Sequence, residues 1–290
     1  MSSWTPRRVL DAAVAMEWRP DGAIEVLTDD YRLIRYPDWA LDPTFPAAQV
    51  TRSHSGRPLP EVIEEVTGRV RRWGLPGVAW WVSDTTWPRN TEAALRDRGA
   101  VQIDAVSILV RELGGDLPDL AVPDDVRVEL VADTRTFRAA SMVTVRGWGR
   151  AEPALGAADR EFRDAIRDLA AWSSFRVVAS VPLPEGPLRE GPLPEGPLPE
   201  EALSAGGGQP VSTGGCTLRG EIAHLWGAVT LREHRRRGCY RAVLAERLRL
   251  ARAHDATLAL VKARAETSGP ILLRAGFADC DTERCFWLSI

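Results

Sequence analysis

The stretch that most constrains this chain runs from Ile222 to His254. Ile222–Leu231 reads as a long strand, with Ile222, His224, Trp226 and Ala228 alternating onto one face and Ala223, Leu225, Gly227 and Val229 onto the other. Leu244, Leu248 and Ala251 follow at helical spacing, so Arg241–His254 reads as a helix. Between them lies Arg235-Arg236-Arg237-Gly238-Cys239-Tyr240. A period that switches from two to 3.6 across so short a turn points to a mixed α/β fold. The first amides of a helix are unpaired donors at the positive end of its dipole, so a pyrophosphate suits such a turn. A solvated basic connection is the other reading. Neither a GxGxxG nor a P-loop is present.

The surrounding order agrees. Asp133–Val145 and Ala158–Ala171 read as helices, and Phe175–Val181 and Val211–Leu218 as strands. Gly220 marks a tight turn, and Leu258–Ala263, Pro270–Arg274 and Cys285–Ile290 read as strand, short helix and final strand. Upstream, Val78–Val82, Thr91–Arg98 and Val101–Val110 read as strand, helix and strand. At 290 residues two domains are expected. Residues 1–112 form an N-terminal α/β domain, 113–124 a Gly/Pro-rich linker, and 125–290 a second domain. Residues 182–209 carry a five-residue Gly-Pro-Leu-Pro-Glu repeat and are expected to be a disordered insertion.

Composition excludes several classes. A net charge of −3 without aromatics interleaved among the arginines argues against nucleic acid. No run reaches membrane-spanning length and no signal segment is seen, so a cytoplasmic protein with no membrane partner is expected. Cys216, Cys239, Cys280 and Cys285 lack CxxC spacing and read as reduced thiols, with no metal site expected. The single lysine, Lys262, among 37 basic residues looks like the usage of a GC-rich bacterial genome.

The strand, turn and helix resemble the acyl-CoA loop of the GNAT superfamily of N-acyltransferases, Arg/Gln-x-x-Gly-x-Gly/Ala. Arg235, Gly238 and Tyr240 stand at its three positions, and Tyr240 departs from the small residue there. Thr267–Phe277 is similar to the family's last helix, which ends in Gly-Phe. The resemblance covers residues 125–290 and implies a GNAT fold with acetyl-CoA, or a related acyl-CoA, as cosubstrate. It implies binding by Ala228, Val229 and Thr230 on the strand, by Arg235, Arg236, Arg237, Gly238, Cys239, Tyr240 and Arg241 on the turn, and by Thr267. Glu92–Ala100 echoes Ile271–Phe277, so the first half is expected to be a degenerate GNAT-like copy, as in mycothiol-synthase-like proteins, or else a distinct small α/β domain.

Acyl transfer requires an unprotonated amine and a stabilised leaving thiolate. Many family members place a tyrosine acid where this chain has Leu272, which leaves Ser268, with Thr267, as the hydroxyls for that end of the reaction; their other role is N-capping. His224 falls where histone-acetyltransferase-type members have a glutamate base, and its alternative is a satisfied strand histidine. Glu221 is second choice, and His234 and His254 read as surface. Trp148, Phe162 and Trp172, near the arginines of Arg146–Arg150, read first as core-packing rings, with lining of the acceptor pocket as their other role; the acceptor is expected to be a small-molecule or peptide amine with a hint of a carboxylate. The expected function is N-acetyl transfer by direct attack; the alternative is a non-catalytic acyl-CoA-binding or scaffold protein. Oligomeric state is not legible.

Overall fold

The computed structural model describes residues 4–40, 45–149, 155–182, 208–264 and 266–290. The chain forms two compact units, one joining residues 1–110 to 262–290 and the other spanning Arg111–Val261. This division departs from the expected second domain of 125–290. The last helix and strand group with the N-terminal half.

In the first unit, chain order gives α1 (Pro6–Ala15), β1 (Ile24–Leu27), β2 (Tyr31–Arg35), β3 (Ala48–Ser53), α2 (Leu59–Arg72), β4 (Gly77–Val82), α3 (Thr91–Arg96) and β5 (Val101–Glu112). The C-terminal pieces are α7 (Gly269–Arg274) and β11 (Ala278–Ser289), and the strands lie in the order β1-β2-β3-β4-β11-β5. β11 runs antiparallel to both β4 and β5, which is why it belongs here. It begins seven residues before the expected Cys285, because Asp279, Asp281 and Glu283 hide a stretch of strand that is held by pairing with β5. α2 buries Val62, Ile63, Val66 and Val70 against Val78, Trp80 and Phe286. Burial of such side chains contributes about 1.5–3 kcal/mol each.

The second unit contains β6 (Arg127–Leu130), α4 (Thr134–Trp148), α5 (Leu155–Ala170), β7 (Ser174–Pro182), β8 (Gly208–Arg219), β9 (Ile222–Thr230), α6 (Cys239–Ala253) and β10 (Leu258–Ala263). Its strand order is β10-β9-β8-β7-β6, antiparallel except for the parallel pair β9–β10. Asp133 caps α4 by accepting from the Thr136 amide at 2.7 Å, and left-handed Gly149 ends it after Trp148, three residues beyond the expected Val145. Of the repeat-bearing insertion, residues 183–207 lie outside the described residues; Pro182 and Gly208 on either side pair with each other. α6 lies on β7, β8 and β9, burying Val243, Leu244, Leu248 and Ala251. Among the described residues no helix is long and apolar enough to cross a membrane.

Candidate active site

β9 carries the two irregularities that open this unit. Its pairing with β10 starts at Ile222↔Leu258 and ends at Leu225↔Val261, so the strands part company at Trp226. On its other edge β9 takes three residues to step from Trp226 to Val229 while β8 takes two from Gly215 to Thr213. The extra residue is a bulge at Gly227, whose φ of 60° suits glycine. The bulge overturns the simple alternation expected from sequence. Val229 shares a face with Trp226, and it packs with Val143 of α4 and with Leu231. Ala228 and Thr230 take the opposite face, where the Thr230 and Ser212 hydroxyls meet at 2.8 Å. The backbone of Ala228–Thr230 therefore runs along an edge that β10 does not fill.

The chain then makes a short 3-10 turn, Arg232–His234, and enters α6 through Arg235–Gly238. Gly238 is the N-cap in left-handed geometry, and no side chain caps the helix. The amides of Gly238, Cys239, Tyr240 and Arg241 are thus its four unpaired donors. Arg235, Arg236 and Arg237 are all exposed beside them. Gly238 has a reason internal to the chain: its φ is 80°, and an added Cβ would lie 2.6 Å from the Pro123 ring. The expected surface position of His234 is not observed. It is buried, with Nδ1 3.3 Å from Arg237, and burial followed by the charge of Arg237 lowers its pKa. Tyr240 points inward towards Arg247, and burial raises its pKa. Cys239 is buried in the helix start, its thiol pushed up by burial, so it offers its amide and not its side chain.

Beneath this lies a pair of adjacent glycines in β8 that sequence reasoning passed over. A Cβ on Gly214 would meet the Arg247 guanidinium at 3.0 Å, and one on Gly215 would meet the Trp226 indole at 2.4 Å. Successive strand residues face opposite ways, so each glycine admits a large side chain on its own face. Arg247 is buried and donates to the Gly215 carbonyl at 3.2 Å; burial lowers its pKa. Trp226 donates its indole N–H to Thr217 at 2.9 Å, and Thr217 lies directly across from His224. His224 thus sits on the Trp226 face, half-buried, two residues before the strand opening.

On that face is a cavity of about 180 Å³, with Thr144 and Trp148 of α4 on one side and Arg176, Thr213, Gly215, Trp226 and Gly227 of the sheet on the other. Of the three aromatic rings weighed between packing and the acceptor, Trp148 lines this cavity. Phe162 packs edge-on to Phe137, and Trp172 stacks on His254 at 3.5 Å, in keeping with the packing reading. Arg176 was not expected; the signal was an arginine inside the apolar run Phe175–Val181. Thr267 and Ser268 fall in the first unit. Ser268 stands at the start of α7 but its side chain makes no capping bond, so the expected capping role is not seen. All four cysteines are free, and among the described residues no three His, Cys, Asp or Glu side chains gather to hold a metal ion.

The first unit repeats the strand, turn, helix and parallel strand in β3, residues 54–58, α2 and β4. Its turn is differently equipped. Pro58 at the cap and Pro60 in the first turn remove two of the helix's amide donors. Asp30 already accepts from Ser55 at 2.6 Å and from Arg57 at 3.0 Å.

No protein-family model and no curated protein matches the chain. Solved structures do. A GCN5-related N-acetyltransferase from Kribbella flavida aligns with TM-score 0.62 at 15% identity, covering 97% of this chain and 94% of its own. One from Sphaerobacter thermophilus gives 0.63 at 12%, covering 91% and 82%. A tandem GNAT protein from the clavulanic acid biosynthesis pathway gives 0.57 at 15%, covering 97% and 87%. The chain has the GNAT fold, and the likeness takes in both halves.

Proposed function

We propose that the chain is an acyl-CoA-dependent N-acyltransferase, moving an acetyl or related acyl group to a primary amine. The observation that carries this is the opening of β9 from β10 immediately before an uncapped, arginine-flanked helix start. These residues fit the cosubstrate. The four amides at Gly238–Arg241, with Arg235, Arg236 and Arg237, would hold the pyrophosphate, and the open edge at Ala228–Thr230 offers peptide groups to the pantetheine amides. When bound, acetyl-CoA supplies the activated thioester. The amine lone pair attacks its carbonyl carbon, the C–S bond breaks, and the thiolate leaves with the bonding pair. The amine proton goes to an imidazole nitrogen of His224, directly or through water. Thr267 and Ser268 carry no role in this reading. A cytoplasmic, acetyl-CoA-supplied setting goes with it.

The non-catalytic alternative draws on Leu272, which is fully buried where many family members have a tyrosine acid. Thiol release from acetyl-CoA across a panel of primary amines separates the two. Amine-dependent release that falls about 100-fold in His224→Ala supports the full reading. Release unchanged in that variant removes the base and keeps the transferase. Tight acetyl-CoA binding without release for any amine favours the binding protein.

A further inference from the structure

Arg176 sits in β7 between the buried Phe175 and Val177, and its guanidinium carbon lies 5.1 Å from the centroid of the Trp226 ring. Among the described residues no hydrogen bond or ion pair reaches this guanidinium; Glu161 of α5 acts on it electrostatically without bonding to it. Burial lowers its pKa, yet arginine keeps its charge, so a cation stands in the cavity wall with an aromatic face as its partner. A desolvated charge of this kind is costly unless something supplies the opposite charge. The hydroxyls beside it are set the other way. Thr144 donates to the Ala140 carbonyl and Thr213 to the Val177 carbonyl, each at 2.8 Å, so both have spent their proton and offer only lone pairs. One fixed cation and two acceptors, walled by Trp148 and Trp226, complement a carboxylate next to an N–H donor. The volume, about 180 Å³, is below that of drug-sized pockets and favours a small molecule over a peptide. The wall includes Trp226 and Gly227, the residues at which β9 leaves β10.

We propose that this cavity receives the acceptor, that the acceptor is a small amino acid-like molecule bearing a carboxylate beside its amine, and that Arg176 binds the carboxylate. This rests on the acyltransferase reading and names its substrate class. Arg176 is a specificity residue, not part of the acyl-CoA machinery.

The test uses the full chain, wild type and Arg176→Gln, with Arg176→Lys as the conservative variant. Matched pairs serve as acceptors: phenylalanine with phenethylamine, and alanine with ethylamine. The carboxylate-bearing member should be favoured about tenfold to 100-fold in kcat/KM, as fits a hydrogen bond to a charged group. Arg176→Gln should erase that advantage through KM, with Arg176→Lys restoring part of it. A second readout needs no turnover. Phenylacetate should quench tryptophan fluorescence saturably in wild type, through Trp148 and Trp226, and not in Arg176→Gln. Equal rates within each pair, or quenching that ignores Arg176, overturn the inference while leaving acyl transfer intact. Failure of wild type to bind acetyl-CoA overturns the underlying reading as well. If no acceptor in the panel releases thiol, the fluorescence titration decides alone, and its absence at millimolar phenylacetate counts against the proposal. Should Arg176→Gln not fold, Arg176→Lys carries the same comparison, with weaker binding expected and unchanged binding contradicting it.

Discussion

Gly238 is held by two constraints that do not involve a ligand: a left-handed φ and the Pro123 ring where a Cβ would stand. Gly149 has the first constraint alone, with open space around it. The pair therefore separates strain from crowding. Gly149→Ala should cost about 1 kcal/mol and Gly238→Ala about 2–4 kcal/mol, read from urea unfolding midpoints. Equal losses would show that Pro123 yields freely. Gly215→Ala should displace the Trp226 indole, shift tryptophan emission and cost about 1–3 kcal/mol, since the indole has no room to share with a Cβ. At this scale the sequence was uneven as a guide. Arg235 and Gly238 were legible because a local motif contains them both. Arg176, Thr144 and Trp226 were not legible as a group, because three separate elements bring them together and no spacing encodes it.

The elements themselves were legible wherever apolar residues kept a period. α4, α6, β7, β9 and β10 fall within a few residues of their expected bounds. β11 was cut short because its first half alternates with acidic residues, and the Gly227 bulge was missed because a bulge leaves the strand's composition unchanged. That bulge turns Val229 towards α4, while the end of β10 pairing at Leu225 leaves the following backbone along an open edge. The hairpin between β7 and β8 gives another expectation. Pro182 and Gly208 are already paired, so replacing residues 183–207 with a short turn should leave the sheet intact. Thermal unfolding should show stability equal to wild type or higher by about 1 kcal/mol, from the shorter loop. A large loss of stability would mean that the segment contributes packing.

Across the whole chain the two units reuse one strand, turn, helix and strand layout with different electrostatics. In the second unit the turn presents unpaired amides and exposed arginines. In the first, two prolines delete donors and the Asp30 carboxylate occupies the turn. The first unit's charges hold its own fold. The Tyr31 hydroxyl, then Arg57 and Arg69, keep Glu65 at a pKa of about 2 against an ordinary 4.5. A depressed carboxylate stabilises fully above its unfolded value and loses that contribution as pH falls through the folded one. The stability gap between wild type and Glu65→Gln should therefore be constant above about pH 5 and shrink between 4.5 and 2. A gap that widens on acidification would reverse the assignment. Lys262 shows the complementary balance: burial works against its charge, and the carboxylates of Glu17 and Glu283 outweigh it, raising its pKa.

The central claim is one acyl-CoA site, in the second unit. Calorimetric titration of acetyl-CoA into wild type and into the double variant Arg235→Glu with Arg236→Glu tests it most directly. Both side chains are exposed, so the variant should unfold at the wild-type temperature. Wild type should bind one acetyl-CoA per chain, and the variant should bind at least about tenfold more weakly. No binding by wild type, equal binding by the variant, or two sites per chain would contradict the account.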